Sequence, residues 1–301
     1  MRKLQRSSER LVQRVNELYH DLTNEQYACV HPEIFEQEKG RWEGIAKQFL
    51  NHAKPITVLD IGTGTGFVPN SIARFLKRDD TFVCSDISRG ILDVAKKNII
   101  GHNLPCRFKF VKIRSQVPYQ LPFETAVANV ITMNSVLHHI KETDVFLSEI
   151  DRVLEPSGLL LIGHEPNKRF YRNVFLRSIR ATFRAAHCLI RHMRNGDRPF
   201  VQQACTRVNC TLIDEKLIDK PLSSSDIASI VDIKSEEGFE PESLLKKYDL
   251  LYIETYDHLF GIITQQFKSG FTRKCEDLLR KRLPKHGRLF FVVLRKSPEG
   301  L

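Results

Sequence analysis

Apolar residues recur along this chain at two different periods, and the two alternate. Leu11, Val12, Val15 and Leu18 fall three and four apart between Ser8 and Tyr19, and Trp42, Ile45, Ala46 and Phe49 share one face of the stretch from Phe35 to Leu50. Both spacings predict amphipathic helices. The period then shortens. Ile56 to Ile61 and Thr81 to Asp86 are β-branched and apolar runs that read as strands, followed by helices at Phe67 to Lys77 and Ile91 to Ile100. Arg107 to Ile113 alternates so that one face is polar, and Ala128 to Met133 supplies a fourth strand. A helix carrying Val145, Phe146, Ile150 and Val153 runs into Glu155-Pro156-Ser157-Gly158, a stop signal, before a fifth strand at Leu159 to His164. Strands that alternate with helices predict an α/β fold with a mainly parallel sheet and right-handed crossovers. Ligands of such a sheet gather at the carboxyl ends of its strands.

From Glu165 to about Ile233 this rhythm stops, and it resumes with a helix at Pro241 to Tyr248, a strand at Leu250 to Tyr256, a helix near Phe271 to Leu283 and a last strand at Arg288 to Arg295. Within the interruption Phe175, Ile179, Phe183, Ala186, Ile190 and Met193 step along one helical face, with Arg177, Arg180, Arg184, Arg191 and Arg194 on the neighbouring face. The chain's formal charge of +10 is concentrated here, since residues 168–198 hold nine basic residues and a single acid, Asp197. Such a helix can lie on an anionic membrane surface. It can equally cap a site whose acceptor carries phosphate or carboxylate, which guanidinium groups bind in a bidentate manner, or it can pack as an ordinary amphipathic helix with solvated arginines. Nucleic acid is a third anionic partner and ranks below the others, because no separate RNA-binding module is present.

No apolar run approaches the ~20 residues needed to span a bilayer, and Met1 to Ser7 leads into polar sequence instead of a signal-peptide core. The expected location is the cytoplasm, with a peripheral place at the membrane under the first reading of the basic helix. Seven scattered cysteines without a C-x-x-C pair predict reduced structural thiols and no metal site.

The first strand ends in Asp60-Ile61-Gly62-Thr63-Gly64-Thr65-Gly66-Phe67. This is strand, tight turn, helix, and glycines there let a backbone approach a ligand closely. The third glycine comes too early for the dinucleotide pattern G-x-G-x-x-G. A carboxylate two residues before the first glycine suits an ammonium group better than a phosphate, and Asp86 ends the second strand where it can accept from both ribose hydroxyls.

These features together resemble the S-adenosylmethionine (SAM) site of class I methyltransferases. Met133-Asn134-Ser135-Val136-Leu137-His138-His139 and Arg152-Val153-Leu154-Glu155-Pro156-Ser157-Gly158-Leu159 look like the small-molecule branch related to quinone and sterol methyltransferases. The resemblance implies a Rossmann-like sheet of seven strands whose last strand runs antiparallel between its neighbours. It implies a SAM-binding core over 55–165 and the rest of the core over 239–301, around the basic helical insertion over 166–238; the helices of residues 1–54 stand where the family often carries a lid over the cofactor, or form a packing layer with no ligand contact. It also implies that Asp60, Gly62, Thr63, Gly64 and Gly66 hold the amino acid part of SAM, Asp86 the ribose and Ile87 the adenine, with Asn134 and Ser115 completing the cofactor set. Two positions depart from the family pattern. Arg114 stands where an acid accepts from the adenine amine, and arginine cannot accept; Ser115, Gln116 or a backbone carbonyl takes over, or Arg114 meets an anionic group on an unusual SAM derivative. Asn129 replaces a second acid before the fourth strand.

Methyl transfer from a sulfonium is an in-line displacement, so alignment supplies much of the acceleration. A hydroxyl acceptor also needs a base, for which histidine is poised near neutral pH. His164 with Glu165 is the preferred pair, His139 with its neighbour His138 the next, and His258 a more distant third; a carbon or nitrogen acceptor needs no base. The expected function is SAM-dependent methylation of a small or lipid-linked, anionic acceptor. The alternatives are a non-catalytic SAM-fold protein acting through its basic helix and an RNA methyltransferase.

Overall fold

The computed structural model describes residues 8–23, 32–114, 116–178, 181, 199–244, 248–258 and 270–298. Seven strands, β1 (Thr57–Ile61), β2 (Thr81–Asp86), β3 (Arg107–Lys112), β4 (Ala128–Asn134), β5 (Leu154–Pro166), β6 (Tyr248–Tyr256) and β7 (Leu289–Lys296), form one sheet in the order β3-β2-β1-β4-β5-β7-β6. β7 is antiparallel to both β5 and β6, while the strands from β3 through β5 are parallel to one another. The helices are α1 (Glu9–Thr23), α2 (Pro32–Phe49), α3 (Phe67–Ile72), α4 (Arg89–Ile100), α5 (Thr143–Val153), α6 (Lys168–Arg172), α7 (Pro199–Asp214), α8 (Ser224–Val231) and α9 (Gly270–Arg282). The seven-stranded arrangement is the expected one.

Central parallel strands are covered on both faces, which is why β1, β2 and β4 read as nearly continuous apolar runs. β3 is an edge strand, and its Arg107, Lys109 and Lys112 remain exposed or partly so. Successive residues of a strand face opposite ways: Phe290, Val292 and Leu294 of β7 join a core with Phe146, Leu147 and Ile150 of α5, and Phe291 and Val293 join a second core with Trp42, Ile45 and Ala46 of α2.

The two N-terminal helices go to different places. α2 is a layer of the second core, whereas Val12 and Val15 of α1 are buried against Cys205, Val208 and Leu212 of α7 and Ile227, Ile230 and Val231 of α8. Among the described residues the insertion therefore contributes a small third core with α1. The helix ends at Val153, and the stretch Glu155-Pro156-Ser157-Gly158 that follows belongs to β5, which begins at Leu154 and is interrupted by a bulge in its pairing with β4 between Leu154 and Leu159. Pro241–Ser243 is a single 3₁₀ turn where a longer helix was expected. Ile179, Arg180, Phe183, Arg184, Ala186, Ile190, Arg191, Met193 and Arg194 lie outside the described residues, as do Ser115, Cys29 and Cys188. Cys84, Cys106, Cys205, Cys210 and Cys275 are free thiols, the first three buried. No described helix is long and apolar enough to cross a membrane.

Candidate functional site

The registers Asp60 to Cys84 and Asp60 to Thr132 bring the carboxyl ends of β1, β2 and β4 level. The turn after β1 can pack there because its first residue has no side chain: Gly62 has φ +68°, and a Cβ on it would stand 2.5 Å from Cγ2 of Val136. Gly66, at φ 92°, caps α3. Asp60 is wholly buried beneath the turn, where its carboxylate accepts from Thr132 Oγ1 at 2.6 Å and from the Thr63 hydroxyl. The Thr63 amide donates to Ser85 O at 2.9 Å, and Ser85 Oγ donates to Asp60 O at 2.8 Å, which ties turn and β2 together. Burial pushes the Asp60 carboxyl up to about 7 against those two hydroxyl donors.

Asp86 faces the cleft. Its Oδ2 accepts from the Gly64 amide and its Oδ1 from the Ser88 amide, both at 2.9 Å. Burial raises its carboxyl to about 6, although the backbone donors oppose the shift. Gly62, Gly64, Asp86 and Asn134 form the sheet side of a cleft of about 110 Å³, with Ile87, Ile91, Ile113 and Val136 as apolar walls and Tyr119, Leu121 and Phe146 at its far side. Asn134 also accepts from the Trp42 indole at 2.9 Å. Asp60, Thr63 and Gly66 shape the turn from below and do not line the cleft.

The roof of the cleft is α1, through Gln13, Asn16 and His20. These stand at i, i+3 and i+7, so one side of the helix turns them inward while Val12 and Val15 face the insertion. Polar residues at that spacing read in the sequence as a solvated side, so nothing local marked this second buried face. Four contacts pin the helix: Gln13 Nε2 donates to Gln116 O at 3.0 Å, Lys112 Nζ pairs with Glu17 at 2.6 Å, the Gly90 amide donates to Asp21 at 2.9 Å, and the Glu142 amide donates to Glu9 at 3.2 Å. Arg114 is exposed and is not part of the cleft wall.

The structure does not bring His164 and Glu165 together as a pair. Neighbours on β5 point opposite ways. His164 Nδ1 lies 3.3 Å from Glu38 of α2, in a buried group with Arg41 and Tyr256, and the guanidinium and imidazole hold the Glu38 carboxyl low despite its burial. Glu165 instead clamps the turn after β4, accepting from the amides of Val136 (2.5 Å), Leu137 (2.7 Å) and His138 (3.2 Å) and from His138 Nδ1 (2.9 Å). His258 is fully buried between Glu276 and Leu283 O. His139, by contrast, lines the cleft. Its Nδ1 lies 2.6 Å from Val231 O, a group that only accepts, so Nδ1 carries the proton and Nε2 the lone pair. Burial and the neighbouring His138 lower its pKa to about 4, whereas His138 is raised because Glu165 overrides its burial.

Among the described residues, one group of three metal-type side chains comes together: His138, His139 and Asp232, with ligand atoms within 4.8 Å of one another. Both histidine Nδ1 atoms are already committed, to Glu165 and to Val231 O.

The methyltransferase domain family matches residues 59–162. A ubiquinone/menaquinone biosynthesis C-methyltransferase of Hahella chejuensis is 28% identical over 106 residues, 35% of this chain and 41% of that protein. Its counterpart in Cellvibrio japonicus is 27% identical over 158 residues, 51% of this chain and 60% of that one. A demethylmenaquinone methyltransferase of Lactobacillus johnsonii is 28% identical over 122 residues, 40% of this chain and 49% of that one. The chain thus spans less than two thirds of the length of these relatives. A SAM-dependent methyltransferase from Aquifex aeolicus aligns over 88% of this chain and 91% of its own, with 14% identity and a TM-score of 0.45.

Proposed function

We propose, for a chain that carries a methyltransferase domain of the class I SAM-dependent type, that it moves a methyl group from SAM to a small or lipid-linked acceptor with an apolar body. The observation that carries this is the placement of two buried carboxylates around one glycine turn: Asp86 in the cleft wall and Asp60 beneath the turn. Asp86, fixed by the Gly64 and Ser88 amides, is suited to accept from a pair of vicinal hydroxyls. Asp60 holds the turn through Thr63 and Thr132, so its contribution to the amino acid end of SAM is to keep Gly62 and Gly64 in position. Ile87, Ile91 and Ile113 offer an apolar slot to a flat base, and Asn134 is held for a polar contact by Trp42.

Bound SAM supplies an electrophilic methyl group. The protein's part is alignment, exclusion of water by the roof helix, and acceptance of a proton where the acceptor loses one. His139 is the candidate for that last task in place of the pair His164 and Glu165, because it borders the cleft with Nε2 unprotonated. Glu165 serves by holding the turn that carries it. The quinone-directed relatives support an aromatic acceptor with a lipid tail. A peripheral site on an anionic membrane is supported by Val174 and Phe175, 63% and 66% exposed, beside the exposed Arg172 and Arg177.

Calorimetry with SAM and S-adenosylhomocysteine on the parent chain and Asp86→Ala tests the cofactor site, and transfer of labelled methyl to a prenylated hydroquinone tests the acceptor. Micromolar binding lost in Asp86→Ala, with label in the hydroquinone, is expected. No binding to either ligand overturns the function. Binding without label in any lipid-linked or free phenolic acceptor moves the chain to a SAM-binding, non-catalytic role.

A further inference from the structure

We infer that Asn16 of the roof helix reads the base of the bound nucleoside, its Oδ1 accepting from the exocyclic amine of adenine; the assignment rests on the proposed SAM site and names the residue that gives it base specificity. Asn16 is only 5% exposed and lines the cleft. Its Nδ2 donates to Val12 O at 2.9 Å, one turn back in the same helix. That bond orients the amide, since the flipped form would set two carbonyl oxygens against each other. The oxygen is therefore turned away from Val12, and it meets no donor among the described residues. A buried acceptor in that state is a cost to the fold unless a ligand meets it.

Its place over the sheet says which part of the ligand that is. Immediately beside it, Glu17 is paired with Lys112 at the end of β3. One turn further, Asp21 is held by Gly90 just past the end of β2; one turn earlier, Gln13 is held by Gln116 past β3. Asn16 thus hangs over the gap between the carboxyl ends of β2 and β3. Asp86 closes β2 at the edge of that gap. A base attached to a ribose on Asp86 enters the slot between Ile87, Ile91 and Ile113, under Asn16.

The polar groups nearest to it in the helix, Gln13 and Glu17, are already engaged. The Gln13 amide donates to Glu9 and Gln116 O, and Glu17 is engaged by Lys112 and Arg14. Arg114, which stands where the related enzymes place an acid, is exposed and has donors only. An acceptor aimed into an apolar slot favours adenine, whose amine donates, over hypoxanthine, whose oxygen at the same position accepts. The acceptor lost from the loop after β3 is supplied by α1.

The test compares three ligands by calorimetry on the full chain: S-adenosylhomocysteine, S-inosylhomocysteine, and the purine analogue that lacks the exocyclic amine. On the parent, adenosyl binding is expected to exceed inosyl binding by about tenfold or more and purine binding by about threefold to tenfold. In Asn16→Leu the three should converge to within about twofold, through weaker adenosyl binding and unchanged inosyl binding. The comparison on the parent stands even where that variant fails to fold. Equal binding of all three to the parent, lost in Asp86→Ala, overturns the role of Asn16 and leaves the cofactor site intact. Discrimination that persists in a folded Asn16→Leu also overturns it. Binding of none of the three overturns the cofactor site and the Asn16 assignment together.

Discussion

Glu165 and His138 face each other at 2.9 Å, carboxylate to Nδ1, with the same carboxylate accepting from three successive backbone amides of the turn after β4. Those amides have no alternative acceptor in a buried site, and leaving one unsatisfied costs roughly 1–3 kcal/mol. Glu165→Ala is therefore expected to lower Tm by several degrees. In Glu165→Gln the His138 titration midpoint, followed by NMR, should move down from its raised position as the carboxylate's attraction is lost. A midpoint that stays put would show that burial and Asp232 alone set it.

His139→Ala should reduce turnover by about a hundredfold with a hydroxyl or phenol acceptor while leaving the Kd for SAM within about twofold. Single-turnover rates and calorimetry on the same preparation separate the two effects. A loss confined to SAM affinity would make His139 part of the cofactor wall only.

Proton linkage gives a sign that is the reverse of the usual carboxylate case. Asp60 and Asp86 titrate near 7 and 6 in the fold, because burial disfavours their charge, and near the ordinary 3.8 in the unfolded chain. The folded protein binds more protons between those limits, so its stability should fall as pH rises from about 4 to about 7, by at most about 1.4 kcal/mol per pH unit for each group. SAM affinity should move the other way and weaken on acidification, since hydroxyl donors and a sulfonium favour the ionised carboxylates. Asp60→Asn is expected to flatten the upper part of the Tm profile; a profile rising with pH through that window in the parent would contradict the assignment.

Gly62→Ala places a methyl group 2.5 Å from Val136 and asks alanine to hold φ near +68°. A loss of about 1–3 kcal/mol is expected, with SAM binding weakened by about tenfold or more. The double variant with Val136→Ala should recover part of the loss, as thermal melts can read. Full tolerance of the single substitution would mean that the turn shifts freely.

At the surface, Phe175→Ser with Arg172→Glu and Arg177→Glu should abolish sedimentation with anionic vesicles and leave SAM affinity unchanged. Equal sedimentation of variant and parent would end the membrane assignment.

The sheet was legible because its central strands are apolar on both faces, and the cleft because glycines and two acids mark the ends of β1 and β2. The start of β5 was not, since Pro156 and Gly158 carry the local chemistry of a helix stop while β4 and β5 are joined across a bulge there. Nor was the separation of His164 from Glu165 foreseen, although the twofold period of a strand requires it. The inward face of α1 was hidden by its composition. Gln13, Asn16 and His20 look like a solvated side until α1 is docked over the strand ends, a placement set by Glu17, Asp21 and the insertion.

That docking makes nucleoside affinity a property of distant packing. α1 is fastened to α7 and α8 through Val12 and Val15, so loosening the small third core is expected to loosen the slot over Asp86 as well. Truncating Val208 or Ile230, neither of which touches the cleft, would loosen the grip on the methyl donor, and the donor in turn would slow amide exchange in the insertion by the same free energy.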